Sequence, residues 1–256
     1  MIKFFRRVRQ RLFTENKFSK YMLYAIGEII LVIIGILIAL GINDHNDQRK
    51  NNASEAKYYC KILDDFEADK ILREELKLEV DKKVRLSKEL MLELASGEKD
   101  KRFLVNKFLK ACRTNTYVPR KTTYQDLVST GNMKLLRDES IRNSLIEFYS
   151  QLDNKLISLE ENREELIKEF YKILNTSIDF GAYEFEYVNN LIGAEVLATI
   201  PENDWHKDKS SSYYRNFQKI LIFNIGIADR QKQHFEIINN LMKKPYKQLS
   251  NKCKAE

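Results

Sequence analysis

Glycine, proline and histidine are all scarce in this sequence. Its 256 residues include eight glycines, three prolines and three histidines. Active sites built from loops draw heavily on glycine, so this composition disfavours an enzyme of that kind. The sequence also has no Gly-x-Ser-x-Gly nucleophile elbow and no glycine-rich phosphate loop. It therefore predicts no catalytic residues. An extracytoplasmic enzyme would need carboxylates of region 176–210 to converge on a cleft.

The few histidines are not spaced as metal ligands. His45, His206 and His234 lie far apart, and none has a second His or Cys at ligand spacing. Asp44 and Asp47 flank His45 and could bind a cation with it, although a solvated polar cluster is the expected role. Acid pairs such as Asp64-Asp65 and Glu164-Glu165 fall on lysine-rich helix faces and are expected to be solvated. No metal and no cofactor is predicted.

Cysteine is also rare, and its count is odd. Cys60, Cys112 and Cys253 show no spacing that defines a disulfide framework. A bridge between Cys60 and Cys112, on two different helices, is geometrically possible. Buried free thiols are the commoner outcome, and Cys253 in the tail is expected to stay reactive or to cross-link partners.

Positive charge is concentrated at the N-terminus. The formal net charge is +7. Seven cations and one acid, Glu15, precede residue 21. The cations are Lys3, Arg6, Arg7, Arg9, Arg11, Lys17 and Lys20. Only +1 remains for the rest of the chain, which has no obvious basic face for a phosphate backbone. Nucleic-acid binding is therefore not predicted.

The basic segment is followed by a long apolar run. Residues 21–42 read YMLYAIGEIILVIIGILIALGI. A helix of this length rises roughly 33 Å, enough to cross a hydrocarbon core of about 30 Å. The sequence predicts a transmembrane helix here, in preference to a buried helix of a soluble core. A cleaved signal peptide is the other alternative, but the run is longer than such segments and Ala39-Leu40-Gly41 is a weak cleavage site.

Charge on the two sides of the run predicts its orientation. The cations before it outnumber those of the mixed flank 43–50, so the positive-inside rule places the N-terminus in the cytoplasm. The larger C-terminal part is then expected outside the cytoplasm. Residues 3–13 form either an amphipathic helix on anionic lipid or a simple topology signal.

One face of the predicted span combines small residues with a carboxylate. Glu28, Val32, Gly35 and Ala39 recur at intervals of four, three and four. Gly35 and Ala39 form a small-x-x-x-small element that allows two helices to approach closely. Glu28 would need a partner, water or a proton in lipid. It is interpreted either as a polar contact or proton path within a membrane complex, or as a tolerated carboxylate near the interface.

These residues resemble an uncharacterised family of single-span bacterial membrane proteins. The shared phrase is YAIGEIxLVxxGILIAL, followed by an asparagine-rich exit. The likeness extends more loosely to residues 123–127 and 129–132. His45 stands where family members tend to have an aromatic residue. The resemblance implies a membrane location, here the bacterial plasma membrane, and no chemistry.

Helical periodicity dominates the remainder. Apolar residues recur at three and four over 53–95, with no proline or glycine between Ile42 and Ser96, so the membrane helix is expected to continue directly into a stalk. Further helices are predicted over 103–112, 123–130, 141–174 and 211–245, with a loop at 114–121. Region 176–210 is the least regular: residues 184–198 form either a helix or a short hairpin, and residues 201–210 form a polar loop.

Several helix ends carry recognisable caps. Thr122 and Gln125 form a capping-box pattern, and Gly131 is a left-handed stop. Asp138 is expected to cap the next helix, and Ser211 or Ser212 the last one. Pro245 is expected to end that last helix.

Aromatic residues cluster in the irregular region. Tyr183, Phe185 and Tyr187 alternate as in an extended segment, and Trp205 follows. They form either an interaction surface or core packing beneath a loop.

The predicted fold class is all-α: a transmembrane helix followed by an elongated antiparallel helical bundle. The expected divisions are 1–20 basic segment, 21–42 span, 43–95 stalk, 96–245 extracytoplasmic domain and 246–256 flexible tail. The predicted role is a membrane-anchored scaffold or sensor acting through protein contacts, as a homo-oligomer or with a membrane-protein partner. The main alternative is an accessory subunit of an ion- or proton-coupled complex that uses Glu28.

Overall fold

A computed structural model of the chain describes residues 18–174, 186–199 and 204–253. Within these ranges every regular element is a helix, which confirms the all-α class. The helices are α1 (Phe18–Ser96), α2 (Lys101–Cys112), α3 (Thr122–Ser129), α4 (Glu139–Leu174), α5 (Glu186–Ile192), α6 (Ala194–Leu197) and α7 (Ser212–Cys253). A short 3-10 helix, Asn132–Leu135, precedes α4.

Helix α1 confirms that the apolar run and the amphipathic segment after it are continuous. It ends at Ser96, and Gly97 follows with φ of 71°. This is the left-handed conformation that glycine adopts without a steric penalty. The chain divides into two compact units between Lys57 and Tyr58. This division falls inside the predicted 43–95 stalk, and residues of α1 from Tyr58 onward belong to the core of the second unit.

The second unit is an up-and-down bundle of four antiparallel or parallel segments. Helix α7 runs antiparallel to α1: Arg73 Nε donates to Asn239 Oδ1 at 2.8 Å, and further along α1 Ser87 accepts from Asn224 Nδ2 at 3.0 Å. Helix α4 runs parallel to α1 and antiparallel to α7. Helix α2 together with the extended residues 113–121 forms the fourth segment, which runs antiparallel to α1.

Two hydrophobic clusters fill this bundle. Cluster 1 joins the first turns of α1 in this unit to the start of α4 and the end of α7, with Phe66 and Phe148 at 4.9 Å between ring centroids. Cluster 2 joins the end of α1 to α2 and the start of α7, where Phe108 stacks on Phe217 at 4.3 Å.

Most predicted caps are present, and one is wrong. Asp138 Oδ1 accepts from the amides of Ser140 and Ile141, and Ser211 Oγ accepts from the amide of Tyr213. Gly131 has φ of 70°, as expected. The capping box at Thr122 does not form, because α3 begins at Thr122 itself. The amide of Thr123 donates instead to Asp65 Oδ2 of α1, at 3.3 Å.

The predicted end at Pro245 and the flexible tail after it are also wrong. Helix α7 passes through Pro245 and continues to Cys253. Pro245 and Leu249 are buried in the bundle, and Tyr246 donates to Glu67 of α1. Burial of these side chains outweighs the single helical hydrogen bond that proline removes.

The cysteines pair differently from the expected bridge. Cys60 is bonded to Cys253, with Cα atoms 5.5 Å apart, so the bridge joins α1 to the last turn of α7. The suggested Cys60–Cys112 bond is wrong, and so are the expectations of a free thiol at Cys60 and of a reactive Cys253. Cys112 is the buried free thiol, as the sequence indicated for unpaired cysteines.

Candidate functional site

A cavity of about 320 Å³ lies inside the second unit, at the level where the two clusters meet. All four segments of the bundle line this cavity. Its apolar wall consists of Val118, Pro119, Leu156, Leu159, Leu166, Ile227 and Ala228. The larger side chains of this wall come from α4 and α7. The shape and lining are those of a small-molecule site, which is mostly apolar with a few polar groups.

Three cations also line the cavity. Arg163 is paired with Glu160 one turn earlier on α4, and Lys121 is paired with Asp153 at 2.7 Å. Lys83 of α1 is the third, and it has no carboxylate within ion-pair distance among the described residues. The cavity therefore has one cation without a directly paired acid.

The surroundings of Lys83 are poorly hydrated. Burial lowers the pKa of Lys83, while the negative charge of the nearby Glu79 acts to raise it. The carboxylate of Glu79 accepts a hydrogen bond from Asn115 Nδ2. Burial also raises the pKa of the Cys112 thiol to about 12, so this thiol is protonated at neutral pH. A protonated thiol of this kind is a weak nucleophile.

The loop that forms one side of the cavity is fixed by polar side chains of α1. Arg73 is fully buried and donates from Nη1 to the Tyr117 hydroxyl at 2.7 Å. Asp69 accepts from the amide of Arg120 at 2.7 Å, and Asp65 accepts from the amide of Thr123. Together these contacts attach the loop to α1 and pair the buried Tyr117 hydroxyl and two backbone amides.

Asp69 and Tyr117 are both strongly affected by their burial. Burial raises the pKa of Asp69 to about 6, against the hydrogen bond from Arg120 and the positive charge of Arg73. Burial likewise raises the pKa of Tyr117 to about 12. Asp65 and Asp69 are thus structural acceptors. The interpretation of Asp64-Asp65 as a solvated pair is wrong for Asp65.

The spacing of these residues is a sequence signal for a buried polar contact. Asp65, Asp69 and Arg73 follow one another at intervals of four, so they share a face of α1. The buried Ile62 and Phe66 lie on neighbouring positions of the same helix. Charged residues repeating within an apolar stripe indicate a buried polar contact. Lys83, by contrast, looks like its exposed neighbour Lys82 in the sequence.

The predicted helix-packing face is exposed. Glu28, Val32, Gly35 and Ala39 are all solvent-accessible in the isolated chain, and a Cβ built at Gly35 would meet no atom within 4 Å. The basic residues Lys3, Arg6, Arg7, Arg9 and Arg11 lie outside the described residues.

The predicted aromatic surface is not assembled as one patch. Tyr183 and Phe185 lie outside the described residues, and Tyr187 is an exposed residue of α5, not of an extended segment. Trp205 is buried in cluster 2, where its ring lies 5.2 Å from that of Phe217. For Trp205 the interaction-surface interpretation is wrong, and the core-packing alternative is confirmed.

Comparison with known proteins gives one match. A family model described as "Family of unknown function (DUF6090)" matches residues 28–183. The chain belongs to this family. The matched region covers most of the apolar run, the rest of α1, the cavity loop and α4, whereas α7 lies beyond it. No curated protein and no solved structure matches the chain.

The described residues contain no group of three or more histidine, cysteine, aspartate or glutamate side chains arranged to hold a metal ion. One helix among them, α1, is long and apolar enough near its start to cross a membrane.

Proposed function

We propose that this chain is a single-pass protein of the bacterial plasma membrane, with a cytoplasmic N-terminus. The bundle from Tyr58 onward lies outside the cytoplasm. It acts as a scaffold or sensor through protein contacts, and not as a catalyst.

The observation that carries the proposal is the exposure of the apolar run. Large aliphatic side chains on every face of α1 are exposed, among them Leu31 at 66% and Ile42 at 67%. None of the most apolar window of this helix is buried in the chain. So large a continuous apolar surface is unfavourable in water and favourable in hydrocarbon.

The disulfide supports the proposed side of the membrane. A Cys60–Cys253 bond persists in an oxidising compartment and is rare in the cytosol. The cations before the span favour the same orientation, because positively charged flanks are retained in the cytoplasm. These two arguments are independent, since one rests on the bundle and the other on the N-terminal segment.

Reporter fusions test the orientation. We expect alkaline phosphatase fused after Glu256 to be active in bacterial cells, and green fluorescent protein at the same place to be dark. Both reporters respond to the compartment in which they fold. Replacing Lys3, Arg6, Arg7, Arg9 and Arg11 by glutamine should mix or invert the two signals, because it removes the charge bias. A bright fluorescent fusion of the unaltered chain would contradict the proposal.

Self-association through the Gly35 face is the second testable part. We expect Gly35→Ile with Ala39→Ile to abolish association of the full chain in lipid nanodiscs, measured by crosslinking. The added side chains would prevent the close approach of two spans. No neighbouring side chain of the same chain lies near the Gly35 Cβ position, so a loss caused by Gly35→Ile indicates contact with a partner.

Gly41→Ile is the matched control for this experiment. Gly41 also has open space around its Cβ position, but it lies about 120° around the helix from Gly35. The proposed interface predicts that Gly41→Ile leaves association unchanged. Equal loss in both variants would reject the Gly35 face, and unchanged association in both would do the same.

A further inference from the structure

The cavity combines one unpaired cation with an apolar interior. The Lys83 ammonium lies at its α1 side, and the half-buried Leu156, Leu159 and Ile227 line it from α4 and α7. A half-buried ammonium without a direct ion pair is unfavourable, and an incoming anion would offset that cost.

The charges around the cavity limit what kind of anion can enter. The other two lining cations already have carboxylate partners. Glu79 acts electrostatically on Lys83 and Glu160 lines the cavity, so a multiply charged anion such as phosphate would be repelled by both acids. A single negative charge matches the single available cation.

The apolar wall determines the rest of the ligand. A volume of about 320 Å³ is at the lower end of small-molecule sites, which span roughly 300–1,000 Å³. Pro119, Leu166 and Ala228 are buried and offer no polar group from their side chains. A short aliphatic body would fill this space favourably, whereas acetate would leave it unfilled.

We propose that this cavity binds an amphiphilic monocarboxylate, with its carboxylate on the Lys83 ammonium and its aliphatic chain against α4 and α7. The site goes beyond the scaffold or sensor role, because it does not depend on which side of the membrane the bundle occupies.

Site-resolved lysine labelling tests the proposal. The full chain in lipid nanodiscs is reductively methylated with formaldehyde and cyanoborohydride, and the rate at each lysine is read by mass spectrometry. At an octanoate concentration ten times the dissociation constant, we expect labelling of Lys83 to slow about tenfold. Lys82 is an exposed neighbour on α1, and its rate should not change. It corrects for any effect of octanoate on the lipid surface.

Two control ligands test the carboxylate and the aliphatic chain of octanoate separately. Octanol at equal concentration has the same chain and no charge, and acetate has the same charge and almost no chain. Neither should protect Lys83. Equal protection by octanol would overturn the assignment of an anion, and protection by acetate would overturn the role of the apolar wall. No protection by octanoate would overturn the site itself.

A pair of variants provides a second measurement. At the same octanoate concentration, ten times the dissociation constant, the midpoint of thermal unfolding should rise by about 3 °C in the unaltered chain and in Lys82→Met. The same ligand should leave Lys83→Met unchanged. Methionine keeps most of the length of the side chain and removes a half-buried charge without an ion pair, so this variant is expected to fold. An undiminished shift in Lys83→Met would contradict the proposal.

Discussion

Reduction of the Cys60–Cys253 disulfide should lower the free energy of unfolding of the bundle by about 4–5 kcal/mol, because the bond closes a very long loop. The two cysteines are 193 residues apart, so the loop that the bond closes contains nearly the whole bundle. Opening it returns the full entropy of that loop to the unfolded chain. The measurement is urea unfolding of the full chain with and without reductant. Unfolding is followed by the fluorescence of Trp205, the single tryptophan.

Variants of the three cysteines provide the controls. Cys60→Ser and Cys253→Ser should each reproduce the effect of the reductant, and the double variant should be no less stable than either one. Cys112→Ser should retain the full response to reductant, since Cys112 is outside the bond. Finding all three thiols free to alkylation before reduction would contradict the pairing.

Arg73→Ala should destabilise the bundle by about 3–5 kcal/mol, because it removes a fully buried side chain and leaves its partners unpaired. The guanidinium donates to Asn239, Tyr117 and the sulfur of Met242. With Arg120, it also opposes the effect of burial on the pKa of Asp69. The same urea titration measures this loss.

Two further arginine variants test whether burial is the cause. Arg73→Met fills most of the volume but leaves Asn239 and Tyr117 without their donor, so we expect an intermediate loss. Arg85→Ala removes an exposed arginine of the same helix, whose contact with Glu89 is a surface ion pair at 3.9 Å. Its cost should be below about 0.5 kcal/mol. A loss for Arg73→Ala as small as that for Arg85→Ala would contradict the account.

Local features of the chain were predictable because their causes are local. The end of α1 follows from the conformation of Gly97, and the start of α4 follows from the hydrogen bonds that Asp138 accepts from the next amides along the chain. The apolar run was equally clear, since its length alone is diagnostic.

Two of the errors involve partners distant in sequence. Thr122 does not cap α3, because α3 begins at Thr122 itself, and Asp65 of α1 accepts from the amide of Thr123. Pro245 does not end α7, because the residues after it are held by burial and by Cys60. In each case a tertiary contact outweighed a local preference worth about 1–3 kcal/mol.

The sequence by itself determined the helical class, the apolar span and the charge asymmetry around it, because periodicity, length and net charge are properties of neighbouring residues. Tertiary structure alone decided which cysteines pair, which charges of α1 are buried and where the cavity lies. The sequence does not distinguish Lys82 from Lys83, because both are lysines in the same helical segment. Only the packing of α4, α7 and the 113–121 loop around α1 leaves one exposed and places the other in an apolar cavity.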